Sequence, residues 1–305
     1  MNFVSNSTGA FYDRSISQLA ILRDNAEEFQ TQIATGVRIQ RGSEDPIAAS
    51  RLRALTRLEV RGNTEEENAA RLRQDLSETS NQITGVVDLI QRARELAVQA
   101  ASDTQGEAGR AAIADELEQM ADELFTRSNA LSITGAPLFA GTAGAPAFEK
   151  APDGTVTYIG NGQVGTVPVA PGTDIERGIT GDQLFEFDVN GTPTSSFAVF
   201  SQLAADLRGG SADPQAAAQT ALAGIDEALD AANRNQTVVG TRLAWVEAIE
   251  DDNAERAINV AEKRSEIGDT NIADVIVRLQ QTLTALEASQ TTFTRVSNLT
   301  LFNAI

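Results

Sequence analysis

The distribution of proline divides this chain into two ends that can form helices and a middle that cannot. Seven of the eight prolines lie between residues 137 and 214, and 13 of the 23 glycines lie between residues 135 and 210. In a helix interior, proline costs about 3 kcal/mol and glycine about 1 kcal/mol relative to alanine. Residues 1–134 and 215–305 are therefore predicted to be largely helical.

Apolar residues at spacings of three and four locate the helices. A first helix is predicted to begin at Asp13 or Ser15, which can cap it, and to end near Gly36. Proline suits the first turn of a helix, so long helices are predicted to begin at Pro46 and at Pro214. The predicted helices cover about 15–36, 46–101, 113–131, 196–209, 214–264 and 270–302.

The middle of the chain carries β signals. Residues 155–159 and 184–189 alternate between apolar and polar side chains, and Asn190-Gly191 after the second run is typical of a hairpin turn. The segment contains few apolar residues. It is therefore predicted to lie exposed on the helices without contributing to the core.

These patterns predict a mainly α fold with a small β-rich insert. The N- and C-terminal halves are expected to form an elongated antiparallel helical rod or coiled coil, because their apolar positions repeat every 3.5 residues. The predicted domains are an N-terminal assembly helix and spacer (1–45), rod helices (46–137), an exposed β-rich insert (138–195), returning rod helices (196–268) and a C-terminal assembly helix (269–305).

The two terminal helices each carry an apolar stripe that needs a partner. The chain stays apolar to its last residue, whereas chain ends are normally frayed and polar unless they dock. The partner could be the other terminus, a second copy or another protein. The candidate assembly interface comprises Ile16, Leu19, Leu22, Phe29, Ile33, Ile276, Leu279, Leu283, Leu286, Phe293, Val296, Leu299, Leu301 and Phe302.

Composition excludes several classes of function. A formal net charge of −19 repels nucleic acid and anionic membrane surfaces, and no apolar run reaches the length of about 18 residues that a membrane-spanning helix needs. The chain has no cysteine and no histidine, so it lacks thiolates and the commonest general base and metal ligand. No catalytic residue, cofactor or metal site is predicted.

One motif imitates a nucleotide-binding site. Residues 160–165 match the pattern GxGxxG, but the sequence after them contains Pro168 and does not predict a helix. Without a helix N-terminus, nothing is available to hold a pyrophosphate. The motif is therefore interpreted as a turn.

The first residues predict no cleavable signal peptide. Met1 to Asn6 contain neither a basic segment nor an apolar segment of the kind that secretory signals carry. Such a chain is expected either to stay in the cytoplasm or to leave the cell by a route that uses no cleaved signal.

Five segments resemble motifs of one superfamily. Residues 32–39 (QIATGVRI) resemble the segment S-S-G-x-R-I of the flagellin superfamily, and residues 44–50 (EDPIAAS) resemble D-D-P-x-A-A-S. Residues 94–100 (RELAVQA) also resemble a superfamily segment. Residues 138–142 (LFAGT) and 299–303 (LTLFN) resemble L-F-S-G-T and L-S-L-F-D. The last two, with the variant D-D-P-x-A-A-S, are most similar to the hook–filament junction family of hook-associated protein 3.

The resemblance covers residues 1–142 and about 196–305, with Ala136-Pro137 standing where the family usually has an Arg–Tyr-type pair. It implies an extracellular structural component of the bacterial flagellum, exported by the flagellar type III route. The implied partners are further copies of itself, hook-associated protein 1, flagellin and a flagellar export chaperone. The implied role is an adaptor that joins hook-associated protein 1 to flagellin. Two alternatives stay open: flagellin itself, or a closed helical-bundle adaptor whose termini pair with each other.

Overall fold

A computed structural model describes residues 3–102, 105–144 and 146–302. Within these ranges the chain is mainly helical, as predicted. The helices are α1 (Phe3–Thr35), α2 (Pro46–Ala100), α3 (Glu107–Ser128), α4 (Gly181–Phe185), α5 (Ser196–Ala205), α6 (Pro214–Gly268) and α7 (Ile272–Phe302). A short π-helical turn, Asp206–Gly210, continues α5.

The β-rich insert consists of three separate antiparallel hairpins, β1–β2, β3–β4 and β5–β6. Their strands are β1 (Phe148–Lys150), β2 (Val156–Tyr158), β3 (Thr166–Ala170), β4 (Thr173–Glu176), β5 (Glu186–Val189) and β6 (Thr192–Ser195). Asn190 and Gly191 join β5 to β6 with φ of 51° and 81°. Both residues lie in the left-handed region that a two-residue hairpin turn requires, which confirms the turn predicted there.

Local chemistry sets the helix limits. The Asp45 carboxylate accepts a hydrogen bond from the Ala48 amide at 2.9 Å and thereby caps α2, which begins at Pro46 as predicted. Gly36 ends α1 with a φ of 70°, a conformation that favours glycine. The start of α1 at Phe3 corrects the predicted start at Asp13 or Ser15, because no proline interrupts the residues before it.

The chain forms two compact units, and α2 and α6 contribute to both. The first unit contains residues 1–60 and 257–305, and the second contains residues 61–256. In the second unit, α2 and α6 are antiparallel: Arg94 pairs with Asp226 at 2.7 Å, and Arg73 with Glu250 at 3.1 Å. In the first unit, Arg264 of α6 pairs with Glu59 of α2. The antiparallel pairing of the two chain halves is thereby confirmed.

The core of the second unit begins with one face of α2. Its apolar side chains, which follow one another at spacings of three, four and seven residues, are at most 1% exposed: Leu72, Leu76, Ile83, Val86 and Ile90. Ile113, Leu117 and Leu124 of α3 and Ile225 and Val239 of α6 are buried in the same cluster. Burial of each such side chain contributes about 1.5–3 kcal/mol, so this cluster dominates the stability of the unit.

The insert contributes to this core, which corrects the prediction that it would only lie exposed. The Phe148 ring lies 5.3 Å from that of Phe185 and 5.2 Å from that of Phe197. Phe139 lies 6.1 Å from Phe185, and both are fully buried. A two-stranded hairpin has too little apolar surface to be stable alone. The hairpins therefore place their few aromatic side chains against the helices.

Candidate assembly surface

The two terminal helices pair with each other inside one chain. The Tyr12 and Phe293 rings meet edge to face with centroids 5.4 Å apart, while Val37 forms a β-bridge with Asp269 at the other end of the helices. Because an early residue of α1 meets a late residue of α7, the two helices are antiparallel. The sequence left open which partner covers the apolar stripes. In the structure, one face of each terminal helix packs against the other terminal helix.

The contact between α1 and α7 is a seam with alternating spacings of three and four. Such spacing is typical of two helices that pack as a coiled coil. Leu19, Leu22, Phe29 and Ile33, all predicted interface residues, lie half-buried in this seam together with the buried Ala26. The seam residues of α7 are Val275, Leu279, Leu286, Phe293 and Val296, and all are buried or half-buried.

Three further predicted residues lie outside the seam. Ile16 is 57% exposed, Ile276 is 41% exposed and Leu283 is 42% exposed. Each follows a half-buried or buried seam position by one residue. In an antiparallel pair, these flanking positions of the two helices fall on the same side. We call Ile16, Ile276 and Leu283 the outer flank.

The side chains of Leu299, Leu301 and Phe302 lie outside those that the structure describes. These predicted interface residues stay a prediction.

The exposed apolar residues of the terminal helices that the sequence analysis missed include Ile21 and Val277, which are 58% and 50% exposed. Both lie off the three-and-four series that identified the stripes. The sequence signal that could have identified them is an apolar residue that lies outside a complete series of three-and-four spacings. A water-exposed isoleucine or valine gains about 1.5–3 kcal/mol on full burial, so each of these residues would stabilise a contact that covers its own side of the helix.

A clasp joins the segment after α1 to the end of α6 and the start of α7. The Arg38 guanidinium donates to the Ile267 carbonyl at 3.0 and 2.7 Å, and the Arg38 amide donates to the Gly268 carbonyl at 2.7 Å. The Thr270 amide donates to the Gly36 carbonyl at 2.8 Å. The guanidinium thereby satisfies a carbonyl at the C-terminal end of α6, where helices leave carbonyls without intrahelical partners.

Gln32 completes the clasp from α1. Its side chain is 7% exposed, and its amide nitrogen donates to the Arg38 carbonyl at 3.2 Å and to the Glu28 carboxylate at 3.1 Å. Gln32 and Arg38 both lie in the segment 32–39, which carries part of the sequence resemblance. The contact with Ile267 could not have been predicted, because 229 residues separate it from Arg38.

Charge differs sharply between the two units. The first unit holds 11 of the 24 basic and 12 of the 43 acidic residues, which leaves it a formal net charge of −1. The second unit accounts for the other −18. Close packing between copies is opposed by like charge, so the nearly neutral unit is the one suited to it.

The described part of the chain offers little for other chemistry. Its carboxylates form no group of three or more that could hold a metal ion. None of the helices seen there combines the length and apolar character needed to cross a bilayer. Strand β3 follows Gly165 directly, so the GxGxxG pattern leads into a hairpin, in keeping with its interpretation as a turn. What the first unit offers is an exposed apolar surface.

Comparison with known proteins agrees with this picture. Residues 10–144 match the bacterial flagellin N-terminal helical region. The chain is 26% identical to flagellar hook-associated protein 3 of Escherichia coli (strain K12) over 97% of its own length and 98% of that protein. It is 25% identical to a flagellin of Halalkalibacterium halodurans over 89% of its own length and 88% of that protein.

The fold also has solved relatives. A putative flagellar hook-associated protein from Vibrio parahaemolyticus superposes with a TM-score of 0.67 at 23% identity, covering 74% of this chain and 100% of that one. At this identity, the likeness shows a shared fold.

Proposed function

We propose that this chain, which is similar over nearly its whole length to flagellar hook-associated protein 3 and matches the flagellin N-terminal helical region over residues 10–144, is an adaptor at the hook–filament junction. As a structural protein of the bacterial flagellum, it would join hook-associated protein 1 on the hook side to the first flagellin subunits. It would act outside the cell and assemble through its terminal helices.

The observation that carries the proposal is the exposed apolar surface of the first unit. The seam uses one face of α1 and of α7, and the outer flank stays in contact with water. A contact that covers Ile16, Ile276 and Leu283 would stabilise association by about 1.5–3 kcal/mol for each fully buried side chain. Contacts between unlike surfaces of successive copies can extend into an open helical array.

The assembly residues of this proposal are those predicted from the sequence, divided into two roles. The seam residues join the two termini of one chain. The outer flank contacts neighbouring subunits. Export would follow the flagellar type III route, with a flagellar export chaperone covering the apolar side chains of α7 beforehand.

The proposal is tested by making the outer flank polar. The triple variant I16N/I276N/L283N should fold and be exported, but it should fail to hold a filament, because water then solvates the side chains that would dock. The control is I133N/I159N, which changes two exposed apolar residues of the second unit. Expression in a strain without the wild-type gene, with counts of attached filaments and of protein in the medium, separates lost assembly from lost export. Normal numbers of attached filaments in cells that express the triple variant would contradict the proposal.

A second candidate function is flagellin itself, which the 25% identity to a flagellin along 89% of the chain favours. The two functions differ in location and copy number. Immunogold labelling of intact flagella should mark a single short band where filament meets hook. Label along the whole filament would establish the filament subunit instead.

A further inference from the structure

We propose that neighbouring copies also dock through two oppositely charged patches, one on α2 and one on α6. The inference rests on the proposed function, since it takes the second copy as the occupant. It adds a surface to which neither the sequence stripes nor the outer flank contribute.

The basic patch lies near the start of α2. Arg53 and Arg57 are exposed and lie one turn apart on the same side of the helix. No described residue forms an ion pair or hydrogen bond with either guanidinium. Val60, which is 61% exposed, lies on the same side one turn further on. Two unpaired arginines beside an apolar side chain are a combination that interfaces favour.

The acidic patch lies on α6. Trp245, the only tryptophan in the sequence, is 51% exposed, and Asp252 lies two turns along on the same side. Neither Asp251 nor Asp252 has an ion pair within the part of the chain that the structure describes. Arg256, one turn beyond Asp252, instead donates to the Asn253 side chain at 2.8 Å. The acidic patch comprises Trp245 and Asp252 on one side of α6, with Asp251 at its edge about 100° around the helix from Asp252.

Charge complementarity selects a second copy as the occupant. Two second units, each with a formal charge of −18, repel one another when copies pack side by side. The basic patch belongs to the nearly neutral first unit, and its free guanidinium groups can pair with both aspartates of a neighbour. Arginine can also stack on the tryptophan ring. Because the two patches differ, their contact is heterologous and repeats from copy to copy.

The absence of cysteine makes the contact directly testable. The double variant R57C/D252C, expressed without the wild-type protein, should give a ladder of cross-linked copies when isolated flagella are treated with a short bismaleimide. The single variants R57C and D252C should stay monomeric on a denaturing gel, because each supplies only one side of the contact. The control R51C/D252C places its thiol about 120° around α2 from position 57 and should cross-link at least tenfold less.

Charge reversal gives an independent readout. R53E/R57E and D251R/D252R should each lower the number of attached filaments by at least about tenfold, since like charges then meet. Combining all four substitutions should restore filaments to within about twofold, and R51E should leave them unchanged. If the wild-type protein reaches the junction but the cysteine variant gives no ladder and the charge variants show no reversal, this inference alone is overturned. Absence of the wild-type protein from isolated flagella would overturn the proposed function and this inference with it.

Discussion

The second unit buries most of its large apolar side chains, whereas the first unit leaves many of its own in contact with water. Leu76 of α2 and Phe185 of the insert are fully buried, but Ile16 and Leu283 of the terminal helices are 57% and 42% exposed. The second unit also carries nearly all of the net charge. A unit with a closed core and a charged surface stays soluble, and a neutral unit with an open apolar flank associates. On our proposal, the second unit supplies the stability and the first unit supplies the assembly surface.

The largest expected effect concerns the closed core. Phe185→Ala removes a fully buried ring that contacts Phe139, Phe148 and Phe197. It should lower the free energy of unfolding of the second unit by about 3–5 kcal/mol, measured by urea denaturation with circular dichroism. Phe11→Ala removes a 36% exposed ring of the first unit. This substitution should change the free energy of unfolding by less than about 0.5 kcal/mol. Equal losses would remove the contrast between the units.

A smaller effect is expected at the clasp. Arg38→Ala removes two hydrogen bonds to the Ile267 carbonyl and should cost the first unit about 0.5–1.5 kcal/mol for each. Hydrogen exchange of the Thr270 amide, which donates to Gly36, should speed up while amides of the second unit stay unchanged. The control Arg41→Ala removes an arginine whose side chain is 84% exposed. Unchanged exchange at Thr270 in the Arg38 variant would refute the clasp.

The smallest effect concerns the pH dependence of the second unit. Burial, and then the charge of Asp182, raise the pKa of Glu186 above its ordinary value of 4.5. Because the folded pKa is the higher one, Glu186 lowers stability as pH rises from 4.5 through the folded pKa. Glu186→Gln should therefore stabilise the unit at pH 7 but not at pH 3. The gain should stay below about 0.5 kcal/mol, because Glu186 is only partly buried and water screens its charge. Thermal melts at both pH values check this prediction, with Glu149→Gln as control. A Glu186→Gln variant that is not stabilised at pH 7, or is destabilised there, would contradict this origin of the pH dependence.

Local sequence predicted the features that depend on neighbouring residues. Pro46 marks the start of α2, Gly36 the end of α1 and Asn190-Gly191 the turn between β5 and β6, because each residue's own backbone preference decides the structure there. The apolar spacing likewise identified Leu19 and Leu286 as residues that seek a partner.

The missed features depend on residues that are distant in sequence. Phe148 and Phe197 meet only after the hairpins have folded onto the helices, so a count of apolar residues in the insert could not reveal their burial. The division of the terminal stripes into seam and outer flank depends on the register between α1 and α7. That register is set by contacts such as Tyr12 with Phe293, which no local period encodes.

The central claim, that the outer flank is covered by neighbouring copies, is tested most directly by thiol labelling. In this cysteine-free chain, I16C and L283C should react with a maleimide dye in the purified protein and be protected at least tenfold in intact flagella, because a neighbour then covers them. I133C in the second unit, where the isoleucine is 79% exposed, should react equally in both states. Equal labelling of I16C and L283C in the purified and assembled protein would contradict the account and favour a closed bundle.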